Sequence, residues 1–165
     1  MKYLIILILF IVSLFTPVKC VLNHIEFEQQ CAGFLKQAAD ANTIKTAILP
    51  LHNAVNYLEE NNLTSGYTSI LYRTPDEDLT FWYNNLKSSL EELRSTPKDI
   101  TRLEESNMLL KLRETLLDET QYGTKVTIPD GISRYPHNGL YFALNSISIF
   151  LLIWLLLPII RHIDG

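Results

Sequence analysis

The stretch FEQQCAGFLKQAADANTIKTAILPLHNAVNYL, residues 27–58, decides the fold class. Its apolar positions are Phe27, Cys31, Phe34, Ala38 and Ala41, then Ile44, Ile48, Leu51, Val55 and Leu58. They recur at alternating intervals of four and three, which is the period of a helix with one buried face. The polar pair Asn42-Thr43 interrupts the run, where it would bend the helix or cap a second one. Pro50 removes a backbone donor and predicts a kink over residues 46–49. The reading is one kinked helix, or two collinear ones, over residues 24–61. The loop-forming run Asn61-Asn62-Leu63-Thr64-Ser65-Gly66 closes it.

Two further helices follow. Thr74-Pro75-Asp76-Glu77 has the form of a capping box with proline at the first helical position. Leu79, Trp82, Leu86, Leu90 and Leu93 then make an apolar face that stops near Ser95. Thr96-Pro97-Lys98-Asp99 repeats the device and predicts a third helix ending at Tyr122-Gly123. Its stripe is Ile100, Leu103, Leu110 and Leu117, with Leu109, Leu112 and Leu116 on a second face. Between Lys125 and Ile132, a Pro-Asp-Gly turn separates β-forming residues and predicts a small hairpin or extended stalk. The expected fold is all-α: an antiparallel bundle of about three long helices, the first kinked, with a C-terminal transmembrane helix.

The flanks differ from this middle. Leu140–Ile160 carries no charge and, at 1.5 Å per residue, is long enough to cross a hydrocarbon core. Tyr141 suits the headgroup edge, and Arg161-His162 stops the run. Near the other end, Leu4–Phe15 is also uncharged but short for a span. With Lys2 before it and Thr16-Pro17-Val18-Lys19-Cys20 after it, the reading is a secretory signal peptide. A retained anchor and lipid attachment at Cys20 are the alternatives; Lys19 before the cysteine argues against the last. The chain divides into a signal or anchor over 1–20, a helical extracytoplasmic domain over 21–123 and a stalk over 124–139. A span over 140–160 and a cytoplasmic tail over 161–165 complete it. This describes a single-pass protein whose tail is too short for a signalling domain.

Composition narrows function by exclusion. Residues 21–135 hold 11 Lys+Arg against 17 Asp+Glu, a net charge of −6 that repels nucleic-acid backbones and disfavours anionic lipid headgroups. No phosphate loop, CxxC, HExxH or GxSxG occurs, so neither an enzyme nor a cofactor is expected. His24, Glu28 and Cys31 share a helical face, but three ligands do not close a metal site, and a core cysteine between surface neighbours is the plainer account. His52, Asn56 and Glu59 share another face with no nucleophile pattern nearby. Asp76, Glu77 and Asp78 would attract calcium, yet capping and the helix dipole already explain them. Asn62-Leu63-Thr64 is a glycosylation sequon in a loop.

Two groups remain as candidate contact residues. Tyr67, Tyr72, Arg73, Phe81, Trp82 and Tyr83 cluster in sequence, and such residues dominate protein interfaces. Phe81, Trp82 and Tyr83 are consecutive, so they point in about three directions and cannot all enter one core. Packing of the loop onto the bundle is the competing account. Asn145 and Ser148 share a face inside the last span and would bond to another membrane helix, or to water and backbone near the interface. The expected function is protein interaction, as an accessory subunit of a membrane complex. The alternative is a ligand-binding sensor that signals through a partner's membrane helix. A convex aromatic patch would favour the first and a pocket lined by the aromatics the second.

Overall fold

In a computed structural model, residues 2–97, 99–121 and 123–163 are described. Lys98 and Tyr122, named above at helix ends, lie outside them. The chain is mostly helical, with one small two-stranded sheet.

The N-terminal apolar run forms helix α1, Lys2–Phe27, which continues through a π-helical stretch, Glu28–Ala32, into α2, Gly33–Ala39. Thus no break falls at residues 20 and 21. The chain then reverses. Thr43 caps α3, Ile44–Glu60, accepting from the Thr46 amide while the Thr46 hydroxyl returns the bond. The Phe27 and Tyr57 rings meet edge to face at 6.0 Å, so α3 runs back along α2 and the π stretch. The expectation of collinear helices is corrected here: residues 40–43 make a turn, which lets both apolar faces close on each other. Pro50 sits within an unbroken α3.

Thr74–Glu77 caps only a 3-10 turn, Pro75–Glu77. Asp78 is the working cap of α4, Leu79–Ser95, accepting from the Thr80 and Phe81 amides. The third helix also starts later than Thr96 predicts. Pro97 follows an extended Thr96, and the complete box is Thr101 with Glu104. Helix α5 is Arg102–Leu116. Its buried residues are Leu112 and Leu116, whereas Leu103 and Leu110 of the expected stripe are exposed. Of the expected stripe, Leu117 is buried and Ile100 packs against the core, so part of each expected face turns inward. Glu105 fixes the crossing by accepting from the Ile44 amide at 3.0 Å.

Instead of reaching residue 122 as helix, the chain forms strands β1, Leu117–Thr120, and β2, Gly123–Val126, paired antiparallel from Leu117–Val126 to Thr120–Gly123. The hairpin precedes the Pro-Asp-Gly segment rather than containing it. Pro129-Asp130-Gly131 instead leads into a 3-10 turn, Ile132–Arg134, with Gly131 in the left-handed region at φ 78°. Helix α6, Asn138–Ile163, leaves the domain alongside α1. Helices α2 to α5 enclose the core, where Leu35, Leu51, Leu58, Leu79 and Leu86 are fully buried.

Candidate functional site

The six aromatic and basic residues separate once the chain folds. Trp82 and Tyr83 are buried, and the Trp82 indole donates to the Thr127 carbonyl at 2.8 Å. This bond ties α4 to the segment after β2. The Tyr83 hydroxyl donates to the Glu59 carboxylate, and Lys87 donates to the same hydroxyl at 3.2 Å. The Tyr83 bond, with help from Lys87, holds the Glu59 carboxyl below its usual range, while burial pushes the Tyr83 hydroxyl up. Phe81 turns outward and is 64% exposed. It borders a groove of about 580 Å³ between the start of α4 and residues 127–130.

Tyr67, Tyr72 and Arg73 belong to a separate loop. Its neck is closed by two backbone bonds, Leu79 amide to Gly66 carbonyl at 3.0 Å and Thr68 amide to Glu77 carbonyl at 3.2 Å. Gly66 has φ 96°, and the Tyr135 ring packs where its side chain would stand. Arg73 lies over the Tyr67 ring, 5.5 Å from its centre. At the tip, Ile70, Leu71 and Tyr72 are exposed, the last two by 79% and 78%.

This loop overhangs the place where α1 and α6 meet the domain. A cavity of about 830 Å³ lies there, between residues 16–21 of α1, residues 138–145 of α6, the 68–77 loop and the 130–134 turn. The Asn138 amide nitrogen staples two walls together, donating to the Thr68 carbonyl at 2.6 Å and the Gly131 carbonyl at 3.1 Å. Its amide oxygen is buried without a hydrogen-bond partner, and so is the Thr68 hydroxyl. Thr68 is only 3% exposed. A methyl group placed on Gly131 would lie 3.2 Å from the Asn138 amide nitrogen, 3.7 Å from the Arg134 guanidinium and 4.0 Å from Thr68 Cβ, so these groups converge. Arg134, Glu77 and Asp130 are the charged residues among those described around the cavity. The Thr74 hydroxyl donates to Glu77 at 2.6 Å and holds that carboxyl below its usual range.

Deeper along the helix pair, the Thr16 hydroxyl donates to the Asn145 side-chain oxygen at 3.3 Å. Ser148 is 2% exposed and donates to the Asn145 carbonyl of its own helix at 3.0 Å. Thr16 is the residue the sequence reading passed over, as part of the polar end of a signal. Its position 129 residues before Asn145 gave no hint of pairing, because nothing local fixes which helices become neighbours. Arg134, Asn138 and Thr68 were missed as well; only the Pro-Asp-Gly turn marked their neighbourhood.

The other candidates are dispersed. His24 and Glu28 are exposed while Cys31 is buried. His52 contacts Asn56 at 3.3 Å and lines neither of the two large cavities. Asp78 and Glu77 are engaged in capping. Among the described residues, no three His, Cys, Asp or Glu side chains gather as a metal site. Asn62, in the sequon, takes φ 57° just after α3. No protein-family model, curated protein or solved structure matches the chain.

Proposed function

We propose that the chain is a membrane-anchored accessory protein, held by α1 and α6 as an antiparallel pair of spans, whose helical domain docks a protein partner on the extracytoplasmic side. The observation that carries this reading is the character of the two helices. Both are long and apolar enough to cross a bilayer. Their outer faces expose Leu7, Phe10, Phe142, Phe150 and Trp154, while the polar Thr16 and Ser148 are buried. Polar-in and apolar-out is the arrangement that lipid favours and water does not.

A retained first span replaces the cleaved signal and the single-pass topology. Lys2 and Arg161 then stand at the ends of the pair away from the domain, against Lys19, Lys125 and Arg134 on the domain side, so the signal-like start of the chain, rather than the charge count, carries the extracytoplasmic orientation. Phe81 and its groove, remote from the helix pair in sequence and exposed, supply the partner surface. A photo-crosslinking residue at Phe81, compared with one at Asn53 on α3, tests this in native membranes. The reading expects a discrete crosslinked partner from Phe81 alone. Equal products from both positions, or none from Phe81, contradict it.

The junction cavity favours a second reading, a ligand-binding sensor. Its wall includes Tyr72 from the aromatic loop and residues of both spans, so occupancy would bear directly on how the spans pack.

A further inference from the structure

We infer that the junction cavity binds one phospholipid whose headgroup carries both a phosphate and a primary ammonium, drawn from the surrounding bilayer. The inference rests on the two-span reading of α1 and α6, which sets the depth of the cavity.

Depth follows from the helix pairing. Asn145 lies five residues beyond Leu140, where the apolar run of α6 begins, so it sits about 7.5 Å inside the hydrocarbon. Thr16 is at the same level because the two side chains are bonded. The antiparallel α1 then regains the boundary near Val21. The cavity wall extends from Thr16 to Val21 on one helix and from Asn145 to Asn138 on the other. It therefore spans the outermost hydrocarbon and the headgroup layer. The Ile70-Leu71-Tyr72 tip belongs to the same wall and lies at that level. Two exposed aliphatic side chains and a tyrosine there would lie against lipid rather than in water.

The polar lining specifies the headgroup. The 97% burial of Thr68 leaves its hydroxyl without a protein partner, and the Asn138 oxygen lacks one too. Buried groups of this kind are ordinarily satisfied, so both mark unmet hydrogen-bonding capacity in the cavity wall, which a headgroup meets once these side chains turn toward the space. Arg134 converges with Thr68 beside Gly131, giving a guanidinium and a hydroxyl donor for a phosphate oxygen. The Asn138 oxygen accepts only, and the carboxylates of Glu77 and Asp130 also accept, so they call for a group rich in N–H donors. A primary ammonium has three such donors; a trimethylated one has none. Two carboxylates against one guanidinium also disfavour a purely anionic headgroup. The volume of about 830 Å³ lies within the range of sites that enclose small ligands.

The test is made on the full chain in nanodiscs of equal parts phosphatidylethanolamine, phosphatidylcholine and phosphatidylglycerol, with lipid retention read after transfer to detergent. Wild type is expected to retain phosphatidylethanolamine at least about fivefold over each competitor, the effect of one or two net hydrogen bonds. Thr68→Val removes only the unpartnered hydroxyl and keeps the shape, so it should fold as wild type and lose most of that preference. Arg134→Met should weaken retention further. Equal retention of the three lipids, or a preference that survives both substitutions, overturns the inference while leaving the spans in place. Failure of wild type to insert into the discs overturns the two-span reading itself.

Discussion

Replacing Thr16 by valine removes the side-chain hydrogen bond that joins α1 to α6 among the described residues, while preserving side-chain shape. The Thr16 hydroxyl lies 3.3 Å from the Asn145 oxygen, and Thr16 is 3% exposed. It also approaches the Val12 carbonyl at 3.5 Å, so part of its bonding is already local. Interhelical bonds of this type contribute about 0.6 kcal/mol on average in lipid, and up to about 1.7 kcal/mol. The loss leaves the Asn145 amide oxygen without this partner on the wall of the junction cavity, and the expected cost lies within that range. A double-mutant cycle of Thr16→Val and Asn145→Leu isolates the pair, measured as reversible unfolding in mild detergent. The expected coupling is about 0.6–1.7 kcal/mol, with the double variant less unstable than the two single losses added. Coupling within about 0.3 kcal/mol of zero would refute the argument, because such additivity is the behaviour of residues that do not touch.

Three other outcomes follow from the domain. Gly66→Ala, at φ 96° with the Tyr135 ring in the way, should cost well over 1 kcal/mol in thermal unfolding, on the order of 2–3 kcal/mol; Gly123→Ala, at φ 119° with open space, should cost only about 1 kcal/mol. Equal losses would show that the Tyr135 contact is not made. Leu51→Ala, at a fully buried position, should cost about 2–5 kcal/mol by denaturant titration, whereas Leu103→Ala, 71% exposed, should stay within about 0.5 kcal/mol of wild type. The Glu59 carboxyl is held down first by the Tyr83 hydroxyl, so its bond adds stability above the unfolded-state value, lost as pH falls through the lower folded value. Tyr83→Phe should raise the Glu59 titration midpoint in a carboxyl-resolved NMR titration and flatten the acid-side loss; an unmoved midpoint rules the bond out.

The helical character of residues 27–58 was legible because period alone reports which positions are buried, and Phe27, Cys31, Leu51, Val55 and Leu58 are. The reversal at residues 40–43 was not, since a short polar break serves a bend and a turn alike. Thr96-Pro97 misled because a capping box uses the longer reach of a glutamate or glutamine, which Asp99 lacks, and Thr101 with Glu104 offered the better pair. On α5, Leu103 and Leu110 keep helical spacing as faithfully as Leu112 and Leu116 do; which face turns inward depends on where α3 and α4 lie. The consecutive Phe81, Trp82 and Tyr83 behaved as their geometry requires, with one ring outside and two within. The junction cavity was invisible because its walls come from four separated segments. A threonine inside an apolar run bonds to its own helix as readily as to another, so Thr16 carried no mark of its neighbour.

The central claim is that α1 and α6 cross one bilayer as a pair with the domain on a single side. Reporters of membrane sidedness fused at the N-terminus and at the C-terminus, with an impermeant thiol probe at an Asp118→Cys position in β1, address it in one experiment on intact cells. Both fused ends should report the cytoplasmic face, and the residue 118 thiol should be labelled from outside. Ends on opposite faces, or labelling of residue 118 only after the membrane is opened, would contradict the account.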